Sequence, residues 1–284
     1  MGPTAHIHTA PVVSVRSGEK NARPLVDPVI LHIHVPKCGG TAFRNFLKDH
    51  YGSAHLSLYP SAKDFIYTEK ELVRSLADRN IRSISTHLVR TFPERLAGRD
   101  LLYITFLRNP IDQFISNITY VKKNFQDLRH DQPLMACFPP DVTSLSIREI
   151  AHWILTRDAE VNFQENFTVN FFSRYTLCDS PNGLDIAQYR KQRLATAKKV
   201  LEDFLFVGLA DDMNRSISVL RKRVEAANLL FPSGEVPFEN MSLDFRGDLS
   251  WINSDDEVGS LLLDSVREDQ QLYDWEQIRL LQWD

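Results

Sequence analysis

Cysteine is scarce in this 284-residue chain: Cys38, Cys137 and Cys178 are an odd number with no CxxC pair. Neither a disulfide framework nor a zinc site is expected, and a reducing compartment fits. Basic charge is not in excess either. With a formal net charge of -4 and a pI near 6.1, the chain has no global positive field of the kind that double-stranded nucleic acid selects, so any anion site must be local. No apolar run is long enough to span a bilayer, and the first residues lack the charged-then-apolar layout of a signal peptide. A cytoplasmic protein is expected, unless an N-terminal anchor lies outside this sequence. Asn-x-Ser/Thr triplets at Asn117, Asn166, Asn214 and Asn240 would matter only in a secretory compartment and read as chance.

What is present is 43% hydrophobic residues, enough for one large domain with a full core. Residues 1–28, rich in Pro, Ser, Thr and charge, read as a mobile arm, and 29–284 as a single domain. Ile30 to Val35 alternates, with Leu31, Ile33 and Val35 on one side and His32 and His34 on the other, as a strand requires. Further strands are predicted over Arg82–His87, Leu101–Leu107 and Phe204–Gly208. Helices are predicted over Thr41–His50, Glu69–Asp78, Asn109-Pro110 through Asn124, Ser146–Asp158, Tyr189–Glu202 and Met213–Ala227, and through most of Asp255–Leu281. Strands alternating with helices predict an α/β fold, a central parallel sheet flanked by helices.

Between the first strand and helix lies Pro36-Lys37-Cys38-Gly39-Gly40-Thr41. Glycine backbones that come close, inward N–H groups and a helix N-terminus make a phosphate cradle, to which Lys37 adds a charge and Thr41 a hydroxyl. The plainer alternative is that Gly-Gly permits a tight turn. An ATP-type Walker loop places its lysine directly before the Ser or Thr; here the lysine precedes the glycines, so an anion held without a metal is expected.

This loop resembles the 5′-phosphosulfate loop of sulfotransferases that use 3′-phosphoadenosine 5′-phosphosulfate (PAPS). With the preceding His-Ile-His-Val it is similar to the carbohydrate branch that includes the heparan sulfate 2-O-sulfotransferases. The resemblance implies a P-loop-like PAPS sulfotransferase fold, with Lys37, Cys38, Gly39, Gly40 and Thr41 on the donor and no catalytic role for the Cys38 thiol. It further implies a 3′-phosphate site made by an Arg and a Ser eight residues later, which "FLRNPIDQFIS" supplies as Arg108 and Ser116. An Arg at a strand end and a Ser on a helix flank are also ordinary surface features. Weaker resemblance continues through Val207-Gly208-Leu209, Asn240-Met241-Ser242 and the Tyr273-containing tail.

In-line sulfuryl transfer to a hydroxyl puts charge on the oxygen leaving with adenosine 3′,5′-bisphosphate, and Lys37 is the residue to stabilise it. The acceptor proton needs a base, and histidine titrates in the useful range. His87, ending its strand at the sheet edge where doubly wound folds place active sites, is the candidate; a merely capped strand-end histidine is the alternative, with His34 or a carboxylate next in line. A carbohydrate or glycoconjugate acceptor is implied, with Arg90, Lys122, Lys123 and Arg129 in reach of an acidic sugar or simply solvated. Phe163 to Phe172 reads as a lid or a core-packed segment. The rival readings are a P-loop-type ATP-dependent kinase and a non-catalytic nucleotide-binding scaffold.

Overall fold

A computed structural model describes residues 25–58, 69–87, 92–128, 135, 137–157, 165–178, 186–227, 229, 231, 233–236 and 248–283. The expectations at residues 1–24, Arg90, Arg129 and Asn240-Met241-Ser242 lie outside the described residues.

The fold is α/β, with a parallel sheet flanked by helices. Its parallel strands are β1 (Val29–Ile33), β2 (His55–Leu58), β3 (Ser83–Thr86), β5 (Arg99–Leu107) and β6 (Phe206–Leu209); β4 (Arg95–Leu96) is a short antiparallel partner at the start of β5. The sheet order is β2-β3-β1-β5, with β4 and β6 both pairing β5. The chain thus goes from β1 to the outer strand β2, returns to β3 between them, then crosses to the other side of β1 for β5 and β6. In open α/β sheets the crevice at such a reversal, outside the carboxyl ends of the strands, is where ligands bind. Here the loops following β1 and β5 border it.

Among the described residues the longer helices are α1 (Gly40–Tyr51), α2 (Glu69–Ala77), α3 (Pro110–Lys123), α4 (Ile147–Leu155), α5 (Phe167–Cys178), α6 (Ile186–Glu202), α7 (Met213–Ala226), α8 (Glu257–Ser265) and α9 (Arg267–Gln282). On one face of the sheet Phe43 of α1 packs against His32 and Phe106, both at 4.8 Å between ring centroids. On the other, Tyr103 meets Phe204 and Phe92, and Phe204 meets Phe172 of α5. A second core gathers Phe114, Ile118 and Val121 of α3 with Ile150 and Ile154 of α4 and Leu262 of α8. Helix α3 belongs to this second core, and its Gln113 side chain donates to the Pro36 carbonyl of the loop after β1.

Local sequence explains several boundaries. Asn109 caps α3 through its side chain, with Pro110 at the first helical position. Ser146 and Glu149 form the expected capping box of α4. Other expectations are corrected. Strand β1 ends at Ile33, and both its faces are buried, His32 included, as is His34 just beyond it. Residues 25–28, expected in the arm, are bonded to the fold: the Val26 N–H donates to Asp100, and Asp27 pairs with Arg99, Arg82 and Arg79. The last strand begins at Phe206, because Phe204 turns into the Tyr103 cluster. The described part of the Phe-rich segment is core rather than lid, with Phe172 buried in α5.

Candidate functional site

The two glycines of the β1 loop are required for different reasons. Gly39 lies at φ 74°, the left-handed region that favours glycine. Gly40 is set by its neighbour: a Cβ there would stand 1.9 Å from Cδ2 of His34, so the His34 ring lies directly on the glycine backbone. Lys37 is itself left-handed, at φ 65°, a strained conformation for a residue with a side chain. Gly39 offers no side chain to cap α1, whereas α3, α4, α7 and α8 each start on a capping Asn109, Ser146, Asp212 or Asp256. An uncapped helix start beside a lysine is the arrangement that holds an anion.

Within the loop the roles divide. Cys38 is buried, its N–H closes the turn onto the Val35 carbonyl at 3.3 Å, and burial pushes its thiol far up, so the side chain is packed in the interior and stays protonated. Thr41 is exposed in the first turn of α1. The Lys37 ammonium sits 4.4 Å over the ring of Tyr120, with burial and then the charge of Arg108 lowering its pKa.

The second element meets the first directly. Arg108 follows β5, and its Nη1 donates to the Lys37 carbonyl at 3.2 Å, with Nε 3.9 Å from Asp211. Asp211 also accepts the Asn109 N–H at 2.7 Å and the Tyr273 hydroxyl at 3.0 Å, which ties α9 to this corner. Two contacts place Ser116. Gln113 donates to the Pro36 carbonyl at 2.9 Å and Tyr120 underlies Lys37, so residues three before and four after Ser116 both face the loop. At helical spacing Ser116, buried on α3, shares that stripe.

The histidines form a column. His32 and His34 stack at 5.7 Å between ring centroids, and His34 and His87 at 4.4 Å. His87 lies one residue beyond β3, half-buried, with Nδ1 2.9 Å from the His34 carbonyl. Because a carbonyl only accepts, Nδ1 carries the proton and Nε2 the lone pair, the tautomer a general base needs. Burial lowers the His87 pKa, the His34 carbonyl opposes this, and Arg44 adds to the lowering. His32, fully buried, is held down to about 3 chiefly by desolvation.

Lys37, Gly39, Gly40, Thr41, Arg108 and His87 thus gather at the carboxyl ends of β1, β3 and β5. Among known proteins no family model matches the chain, and no curated protein matches it in sequence. Gln113, Asp211 and Tyr120 escaped the sequence reading as parts of the site, since a glutamine, an aspartate and a tyrosine carry no motif of their own. Of the cations expected to attract an acidic sugar, Lys122 donates to the Leu145 carbonyl and so serves the α3–α4 connection, while Lys123 is exposed. Among the described residues, no group of three His, Cys, Asp or Glu side chains could hold a metal ion, and no helix is long and apolar enough to cross a membrane.

Proposed function

We propose that the protein is a PAPS-dependent sulfotransferase with the P-loop-like fold of that family, moving a sulfuryl group to a hydroxyl, most simply that of a carbohydrate or glycoconjugate. The observation that carries this reading is the bond from Arg108 to the Lys37 carbonyl, which joins the two anion-binding elements in one corner of the sheet edge. A nucleotide with phosphates at both 3′ and 5′ positions needs two such elements side by side, and an ATP site does not. The donor set suits it: an ammonium, a guanidinium able to give paired bonds, and an uncapped helix start.

In this mechanism His87 Nε2 takes the proton of the acceptor hydroxyl as the acceptor oxygen bonds to sulfur. As the bond from sulfur to the bridging oxygen breaks, Lys37 and the N–H groups around Gly39 and Gly40 stabilise the charge on that oxygen, and adenosine 3′,5′-bisphosphate leaves. Arg108 and Ser116 hold the 3′-phosphate throughout. No residue in this scheme needs a metal ion.

The test is thermal stabilisation by adenosine 3′,5′-bisphosphate beside 5′-AMP and ATP with Mg²⁺, for wild type and Arg108→Ala. At a hundred times its dissociation constant the bisphosphate stabilises by about 2.7 kcal/mol, and Arg108→Ala removes most of that. Equal stabilisation by ATP would move the reading to a kinase; stabilisation by none of the three would leave the scaffold.

A further inference from the structure

One residue touches both halves of the proposed site. The His34 ring is 6% exposed and lies on the Gly40 backbone so closely that no Cβ fits between them. Its other neighbour is His87, stacked at 4.4 Å and tilted by 26°. The His34 backbone carbonyl, in turn, receives the His87 Nδ1 proton. Packed interiors have no slack at such distances, so a shift on one side of the ring is passed to the other.

We infer that His34 is a positioning residue, a wedge between Gly40 and His87 through which the state of the anion loop sets the plane and tautomer of the base. This rests on the reading of the loop as an anion cradle and of His87 as the base. The ring couples by contact rather than by charge: burial holds His34 well below the ordinary histidine range, so it stays neutral while His87 titrates. Groups that face His87 include His34 just after β1, Arg44 of α1 and, one ring further in, His32. Removing the wedge admits solvent to one face of His87 and lets its ring turn off the carbonyl. The His87 titration midpoint then rises toward that of an exposed imidazole.

Histidine-ring NMR on the full chain tests this without any acceptor. Wild type should show His87 as the Nδ1–H tautomer; in His34→Ala the Nε2–H form becomes populated and the midpoint rises, while His34→Phe, which keeps a flat ring in place, preserves the wild-type tautomer. Gly40→Ala should disturb the His87 signals through the His34 ring, into which the added methyl is aimed. In the double variant His34→Ala/Gly40→Ala the added methyl enters the vacated space, so the double variant is more stable than Gly40→Ala alone, or folds where that variant does not. The inference is overturned if His87 signals in His34→Ala match wild type, or if the double variant is no more stable than Gly40→Ala. Failure of adenosine 3′,5′-bisphosphate to stabilise wild type would overturn the donor assignment instead, because the His87 signals are read without ligand.

Discussion

Replacing Gln113 by leucine should unsettle the loop from behind. Gln113 is 2% exposed and makes two bonds at once, giving its amide N–H to the Pro36 carbonyl at 2.9 Å and accepting the Thr168 hydroxyl at 2.9 Å. Leucine fills nearly the same volume and makes neither bond. A buried polar group left without a partner costs about 1–3 kcal/mol. Thr168 is 5% exposed and bears that cost in full, while the half-buried Pro36 recovers part of it from water. The sum is about 2–3 kcal/mol, which in a chain of this size lowers the melting temperature by roughly 4–12 °C.

A double-mutant cycle isolates the cause. Thr168→Val removes the stranded hydroxyl but keeps the Thr168 backbone N–H on Asp269, so adding it to Gln113→Leu should recover about 1 kcal/mol. Urea unfolding of the four proteins, compared at an unchanged denaturant slope, measures this. The stabilisation by adenosine 3′,5′-bisphosphate should also fall in Gln113→Leu, since the loop loses a fixed point. A coupling below about 0.3 kcal/mol with both single variants folded would mean that Gln113 does not act through Thr168.

Asp27→Ala should destabilise by about 2 kcal/mol, since it breaks the 2.9 Å pair with the fully buried Arg99 side chain while three backbone carbonyls stay on the guanidinium. Burial raises the Asp27 pKa, but Arg82, Arg99 and Arg79 lower it more, leaving it below its unfolded value of 3.8. The contribution is therefore complete above that pH and lost as pH falls through the folded pKa, so urea midpoints of wild type and variant should converge in acid. Iodoacetamide at mildly alkaline pH should label the half-buried Cys137 and spare Cys38, read by peptide mass mapping. His87→Ala should cut sulfate transfer to an oligosaccharide panel by about 10²–10⁴-fold with bisphosphate affinity nearly unchanged; normal turnover would pass the role to another group.

The strand–loop–helix around Lys37 and the capped start of α3 were legible because each rests on residues adjacent in sequence: a run of apolar residues, a glycine pair, an Asn-Pro step. Strand β2 was not, and neither was the burial of His32 and His34. The reason is common to both. Where β1, β2 and β3 meet α1, the sheet face is lined by His32, His55, Ser83 and Ser85, all buried. Read by hydropathy, such residues belong in water. Inside, they are tolerable only in pairs: His32 with Ser85 at 3.1 Å, and His55 with Ser83 at 2.8 Å. Those partners lie 53 and 28 residues apart, so the pairing follows from strand register and not from any local pattern. Asp27 escaped in the same way, since its value lies in a guanidinium 72 residues downstream. The polar lining also explains why a further imidazole stands here. A sheet face that already holds neutral imidazoles against serine hydroxyls extends to its carboxyl edge by one more ring, His87, which meets solvent where the buried ones do not.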